Sequence, residues 1–520
     1  MTTAPRATAR QWLGLAVLCL PTMLAAVDVN ITFLALPHVS ADLGASGTEQ
    51  LWISDIYGFL IAGFLITSGN LGDRIGRRTV LLGGAALFLV ASLLAAYAVS
   101  PGMLVGARAL LGVAGATLIP SVLALLRAMF QDPRQMGIAM GAWGTSLMAG
   151  MVLGPVIGGL LLRSFWWGSI FLMAVPVMAL LLLTAPVLVP DSRDPAARRP
   201  DLVSVVLSVA SILPFVYGLK TWARGGAGAV PVMVGLLCAV LFLRRQRRVA
   251  NPLLDLGLFG KRAVSATLVL ALLIAFAMGG VGLMGTLYLQ LVAGLSPFET
   301  GLWLLLPSTA MIIVGSVAPM LASRVRPAYI LMTGSIVAAV GMILLTRVPS
   351  TSGLSALLVG VTIVYVGGAA VGPMAPFLVM SAAPPGKAGA AGSLASTAGE
   401  LGVALGVAML GIVGTSTYRS RIEVPDGVAA DNAATARDSI AGAVAVMPGL
   451  PADAGAALLT SARAAFTDGL HVIAVVSVVI FVGLAVVARI GLGHLPPTLD
   501  TPAESGRTGE PEPVTRPASS

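Results

Sequence analysis

The sequence predicts an all-α polytopic membrane protein of fourteen spans with both termini in the cytoplasm. Three observations carry that expectation. The 520 residues are 57% hydrophobic and 10% charged, with a mean hydropathy of +0.95, whereas soluble domains carry about 25% charge. Apolar runs of ~20 residues, enough to cross a bilayer, recur along the whole chain. Basic residues sort into alternate loops, the orientation bias of membrane proteins.

The first run, 12–37, follows a basic start that ends at Arg10. It is too long for a signal-peptide core and contains Asp28, so it reads as a retained span behind a cytoplasmic N-terminus, 1–11. Spans 2 to 6 follow at 50–70, 79–98, 102–126, 137–162 and 168–189. With the first they form an N-terminal bundle, 12–190, closed by the charged inner loop 191–201. Spans 7 and 8, at 203–219 and 229–244, read as an inserted pair, 203–244. Spans 9 to 14 lie at 264–292, 299–322, 328–347, 354–381, 389–414 and 468–490, giving a second six-helix bundle, 264–490. Two such halves related by an axis along the membrane normal are a recurrent plan. A long outer loop, 416–467, holds a helix-like piece around 454–466. The tail, 491–520, is rich in Pro, Thr, Glu and Ser and reads as disordered.

Loop charge tests the count. With the N-terminus inside, nineteen basic residues fall in inner loops, among them Arg74, Arg77, Arg78 and the run Arg244 to Arg248. The short outer loops hold six: Arg163, Lys220, Arg224, Arg347, Arg419 and Arg421. A miscount by one span would place Arg244 to Arg248 outside, against the bias.

Several function classes are disfavoured. The net charge of +9 is scattered through short loops, so no nucleic-acid partner is expected. Cys19 and Cys238 sit inside spans, which argues against a disulfide framework. His38, His471 and His494 are isolated, so no metal site is expected. No phosphate-cradling Gly-x4-Gly-Lys-Ser/Thr loop surrounds any of the three lysines. There is no room for a separate soluble catalytic or receptor domain.

Charge inside a span costs ~2.5–3.5 kcal/mol on insertion scales, so each such residue is a functional candidate. Four stand out: Asp28 in span 1, Asp55 in span 2, Arg108 in span 4 and Glu400 in span 13. The first three share the outer half of the N-terminal bundle, where Arg108 can pair with Asp28 or Asp55. The alternative for them is a buried pair that fixes helix packing, and Asp55 lies shallow enough to reach outer water. For Glu400, with no obvious cation nearby, the alternative is a protonated, hydrogen-bonded packing residue. Desolvation favours the neutral form of a carboxyl and a bound cation favours the ionised form. Proton and cation then compete for one site, the minimal machinery of exchange. Trp52, Tyr57, Trp143, Phe276, Met278 and Tyr288 lie at similar depths. They can hold a flat or quaternary cation by ring faces and soft contacts, or merely pack.

Two further patterns stand out. The hairpin Gly69-Asn70-Leu71-Gly72-Asp73-Arg74-Ile75-Gly76-Arg77-Arg78 packs three glycines, one acid and three arginines between spans 2 and 3. Span 5 carries Gly150, Gly154, Pro155, Gly158 and Gly159, a smooth face beside a helix-bending proline. The hairpin resembles the signature loop between helices 2 and 3 of the major facilitator superfamily. The span 5 pattern resembles the antiporter motif of its drug exporters. Arg108, Gly112, Gly115 and Pro120 resemble their proton-coupling motif.

Val27-Asp28-Val29-Asn30-Ile31 through Ala35-Leu36-Pro37 is similar to the span 1 motif of the fourteen-span drug:proton antiporter family. With Leu51-Trp52-Ile53-Ser54-Asp55-Ile56-Tyr57 and Gly399-Glu400-Leu401-Gly402, it resembles that family's LfrA-like and SmvA/QacA-like multidrug exporters. Asn30 stands where Thr is usual, Phe33 where Asn is usual, Gly399 where Tyr is common, and Ser396 where relatives often carry a further acid. The resemblance implies the major facilitator fold and alternating access in a monomer of the bacterial cytoplasmic membrane. It implies lipophilic or cationic small molecules and protons as partners, no cofactor, and drive from the proton gradient. It gives the acids of spans 1, 2 and 13 to cation recognition and proton coupling. The hairpin, through Asp73 and Arg77, becomes a latch on the cytoplasmic face. The rival with the same mechanism is a dedicated exporter of one endogenous antibiotic.

Overall fold

A computed structural model describes residues 7–191, 201–223, 226–249, 256–322, 324–382 and 388–497. Every regular element among them is helical. α1 (Ala9–Leu43) ends at Gly44, whose φ is 64°. α2 (Gly47–Ile75) opens on a capping box: the Ser46 N–H donates to Glu49 Oε2 at 2.9 Å and the Glu49 N–H to Ser46 Oγ at 3.4 Å. These reciprocal bonds satisfy donors the first turn cannot pair internally. A single residue, Gly76 at φ 109°, separates α2 from α3 (Arg77–Ala96). That backbone angle favours a residue without Cβ, so the tightness of the hairpin is written in the glycine. α4 (Pro101–Met129) has Ser100 as its cap and proline at its first position. α5 (Pro133–Ser164), α6 (Ser169–Leu172) and α7 (Ala174–Leu188) complete the first group.

α8 (Leu202–Ala223) and α9 (Ala229–Gln246) form a hairpin. It is tied at its open end by Asp201, which accepts from Arg245 Nε at 2.6 Å and Nη2 at 2.8 Å. That fork of hydrogen bonds from Arg245 holds the Asp201 carboxyl below its usual range, at about 2. The second group comprises α10 (Arg262–Leu287), α11 (Pro297–Ala322), α12 (Pro327–Leu345), α13 (Leu354–Gly368), α14 (Val371–Ala382) and α15 (Ala388–Arg421). It continues through α16 (Ala430–Asp438) and α17 (Ile440–Val446) to α18 (Ala452–Leu492). α10 runs into a π-helical turn, Tyr288–Val292.

Eleven helical stretches among the described residues are long and apolar enough to cross a membrane, and shorter apolar helices add to them. The helices overlap the ranges read as spans, but span 6 is divided between α6 and α7 and span 12 between α13 and α14. Both ends of the outer loop also differ. The sequence set an outer loop at 416–467, but α15 continues to Arg421 and α18 begins at Ala452. The alanine-rich stretch before span 14 has no proline and buries Leu458, Ala462, Ala465 and Phe466 on one face, so it simply extends the helix. At 41 residues α18 is ~60 Å long, about twice the hydrocarbon thickness. The charged loop at 192–200, Lys387 and the tail from 498 lie outside the described residues.

Within the first group α1 packs on α5 and α7, and α4 on α2 and α3; within the second, α10 packs on α15 and α18, and α12 on α13 and α18. The groups meet along two seams, α2 with α15 and α5 with α11, and α8 leans across the first of these. Outward faces stay apolar: Val230, Met233, Leu237 and Val240 of α9 are exposed, as suits a surface solvated by lipid.

The span 5 glycines serve both groups. A Cβ on Gly150 would lie 2.3 Å from Met23 O, and one on Gly158 2.3 Å from Ile31 Cγ1, so these two let α5 close on α1. Gly154 is buried. A Cβ on Gly159 would stand 2.5 Å from Phe298 Cα, and one on Gly301 2.3 Å from Pro155 O, so that end of the motif sets the α5–α11 seam. Gly159→Leu should push the two groups apart and destabilise the protein by about 1–3 kcal/mol, the usual cost of overpacking. A thermal midpoint equal to that of the unmutated protein would mean the seam does not need this contact.

Candidate functional site

Among the described residues Arg108 is the largest fully buried side chain, 1% exposed. It projects from α4, and its Nη1 donates to Asp28 Oδ2 of α1 at 2.7 Å. Its Nε donates to the Ile53 carbonyl of α2 at 3.1 Å. Its guanidinium carbon lies 4.6 Å from the centre of the Tyr57 ring. One cation thus ties three helices and is held by a carboxylate, a carbonyl and a ring face together. Of the two carboxylates open in the sequence, Asp28 pairs with it directly. Asp55, 1% exposed, lies two residues before Tyr57 on α2. Tyr57 is buried within electrostatic reach of Asp28, Arg108 and Glu400 alike, and so sits between the two groups of helices.

Glu400 of α15 lines a cavity of about 400 Å³ walled by α10, α11, α13, α14 and α15, with Phe33 of α1 and Pro155 of α5 at its edge. Most of the wall is Ala, Gly, Ile, Leu, Val and Met. Polar atoms come from Glu400, Ser396, Tyr365, Ser308 and Thr286. Among the described residues no cation is paired with Glu400. Between α13 and α14 the helix breaks at Ala369 and Ala370, and Gly368, Ala369, Val371, Gly372 and Pro373 of that break line the cavity. Irregular backbone within a membrane is tolerated where it lines a cavity.

The other predicted aromatic and methionine residues part company. Met278 lines the cavity. Trp52 instead packs on Tyr217 of α8, ring centres 6.4 Å apart. Trp143 donates its Nε1–H to Thr22 Oγ1 of α1 at 3.1 Å. The backbone of Phe276 abuts Gly406, where α10 and α15 touch. The Tyr288 hydroxyl donates to the Pro349 carbonyl and so anchors the far end of α10. Tyr365, Ser308 and Met311 were not foreseen. The sequence signal for that wall was the interrupted run Gly367-Gly368-Ala369-Ala370-Val371-Gly372-Pro373, since glycine and proline breaks in a span point to a binding site.

At the opposite end from α16, Arg77 folds over Gly72, where a Cβ would stand 2.7 Å from its Cδ. Arg78 Nη1 donates to the Pro186 and Val189 carbonyls at 3.0 and 3.1 Å, and Arg10 donates to Val187 O. Two guanidiniums therefore grip the last carbonyls of α7, where a helix presents its negative end. Arg74 is exposed. The side chain of Asp73, like Gly69, lies outside what is described.

At the α16 end several contacts join the two groups. Gln290 Nε2 donates to the Leu34 carbonyl at 3.1 Å, and Leu51 fills the space beside Gly411. Asp438 pairs with Arg419 of α15 and accepts from the Gly47 N–H of α2 at 2.6 Å. Among the described residues no cluster of His, Cys, Asp and Glu could hold a metal, and both cysteines are free.

A sequence profile described as Major Facilitator Superfamily matches residues 18–407. The chain is 40% identical over 488 residues to the multidrug efflux pump LfrA of Mycolicibacterium smegmatis, covering 93% of this chain and 97% of that one. It is 34% identical over 469 residues to the methyl viologen resistance protein SmvA of Salmonella typhimurium, with 88% and 93% covered. It is also 34% identical over 410 residues to a tetracenomycin C resistance and export protein of Streptomyces glaucescens, with 78% and 76% covered. Among solved structures, a bacterial homolog of the human lysosomal transporter Spinster, inward-facing and unoccupied, superposes with a TM-score of 0.65 at 16% identity. That match covers 94% of this chain and 98% of the other, a likeness of fold alone.

Proposed function

The chain belongs to the major facilitator superfamily, and on that premise we propose that it is a proton-coupled antiporter exporting lipophilic, cationic drugs or antiseptics by alternating access. It is a multi-pass transporter of the bacterial inner membrane and not an enzyme. The observation that carries the proposal is Glu400, a carboxyl in a largely apolar cavity to which no cation is paired among the described residues. Such a group exchanges a proton for a cation because each stabilises a different charge state of the same atom pair. Met278, Met311 and Tyr365 offer soft and aromatic contacts to an apolar cation body.

The cycle proceeds as follows. A cation entering from the cytoplasm displaces the proton on Glu400. The two groups of helices rock about the α2–α15 and α5–α11 seams, and protons from outside displace the cation and reset the carrier. The hairpin between α2 and α3, through Asp73 and Arg77, latches the cytoplasmic side when the carrier opens outward. The proton gradient supplies the drive, no cofactor takes part, and one monomer suffices. The test is efflux of a cationic dye from loaded vesicles with and without a pH gradient. Export should require the gradient and collapse when it is dissipated; gradient-independent export would end the proposal.

Fourteen spans with cytoplasmic termini complete the reading. A reporter after Arg248 should be cytoplasmic and one near Ala434 extracytoplasmic. The opposite placement at either site would break this topology.

The second reading, a dedicated exporter of one endogenous antibiotic, is favoured by the similarity to the tetracenomycin C export protein. It shares the mechanism and differs in breadth: one compound would be exported and unrelated cationic dyes left behind.

A further inference from the structure

The start of α10 and the end of α18 share one edge of the bundle, and an open depression there is lined by Arg262, Arg489, Ile490, Gly493 and His494. Two guanidiniums and an imidazole meet in it, and among the described residues none of the three has an acidic partner. Arg489 is held in place. Its guanidinium carbon lies 5.7 Å from the centre of the Tyr329 ring on α12. A Cβ on Gly493 would stand 2.7 Å from its Nη1, so the glycine leaves the room the side chain uses.

From this depression an apolar stripe runs along α18 into the bilayer. Val479, Val482, Val486 and Ile490 are 69, 53, 52 and 56% exposed, and their spacing puts them on one helical face. Concentrated positive charge at the head of an exposed aliphatic stripe matches an amphiphile with an anionic end. We propose that this depression binds the phosphate of an anionic phospholipid, whose acyl chain lies along the stripe of α18. Arginine forks suit phosphate oxygens, and basic sites between helix ends are a recurrent way to hold anionic headgroups. A soluble phosphate would gain the charge contacts but not the stripe.

The test uses the full chain in nanodiscs of phosphatidylcholine, with or without phosphatidylglycerol. Bound lipid is counted by native mass spectrometry and stability is read as the thermal midpoint. The protein should retain phosphatidylglycerol over phosphatidylcholine and melt higher with it. Arg262→Gln and Arg489→Gln should each weaken retention about five-fold, and together roughly thirty-fold, near the surface value per basic residue. In pure phosphatidylcholine the midpoint of Arg262→Gln should match that of the unmutated protein and that of Arg489→Gln should fall only slightly, by its lost Tyr329 contact, which separates lost binding from misfolding. Each single variant reports independently should the double variant not fold. Inorganic phosphate added to pure phosphatidylcholine discs should leave the midpoint unmoved. Equal retention in variant and unmutated protein, no preference for phosphatidylglycerol, or a full midpoint shift from inorganic phosphate would overturn the assignment. None of these readouts depends on the transported compound or on proton coupling.

Discussion

Glu400→Gln should abolish gradient-driven export of cationic dyes while leaving insertion and expression intact. The amide fills the same volume in the cavity and keeps hydrogen-bonding atoms beside Ser396 and Tyr365, so packing changes little. What it loses is the ability to alternate between a neutral and a charged state. Dye affinity should fall by about 10- to 150-fold, the range spanned by ~1.5–3 kcal/mol for an interaction with a charged partner. The pH dependence carries the sign. In the unmutated protein a cation needs the carboxylate, so dye binding should weaken as pH falls and the carboxyl takes up its proton. In the variant that slope should flatten, because no proton competes. A neutral cargo, if carried, should be less affected. Should Glu400→Gln pump cationic dyes normally with an unchanged pH profile, the coupling role passes to Asp28 and Glu400 is a packing residue.

The fold was legible because its governing signal, long apolar runs separated by basic loops, is one-dimensional. Depth along a span is equally legible, which is why the sequence places Asp28, Asp55 and Arg108 at one level and an ion pair there is expected. The direction a side chain faces was not. Each residue turns the helix by about 100°, so an aromatic at the right depth faces cavity, neighbour or lipid according to packing that the sequence does not spell out. Trp52 and Tyr288 illustrate this. The first meets Tyr217 of an inserted helix, and the second spends its hydroxyl on a backbone carbonyl. The cavity wall at Gly368 to Pro373 was readable in principle, since the break is visible as composition. Its partners across the cavity, Ser308 and Met311, carry no local signal at all. The double duty of the span 5 glycines was hidden for the same reason, because the glycines name a smooth face and not the helix that comes to meet it.

Asp28→Asn should destabilise the protein by about 3–5 kcal/mol, the cost of leaving one member of a buried pair uncompensated. Arg108 is 1% exposed and so cut off from bulk solvent, and the Ile53 carbonyl and the Tyr57 ring that it also contacts carry only partial negative charge. Arg108→Gln should cost a similar amount by stranding Asp28. The double variant is the informative one. Removing both charges removes the stranded charge as well, so its stability should recover well beyond the sum of the single losses, a coupling measurable by a double-mutant cycle. Transport should not recover with it. If the pair only fixes helix packing, a refolded neutral pair would pump as well as the unmutated protein, and normal dye efflux from vesicles holding the double variant would establish that. If the pair instead sets the field felt across Tyr57 by Glu400, the double variant should be stable, correctly inserted and unable to couple dye export to the proton gradient. The loss of coupling at restored stability is what separates a charge kept for work from a charge kept for structure, and it places that work at the junction of α1, α2 and α4 facing α15.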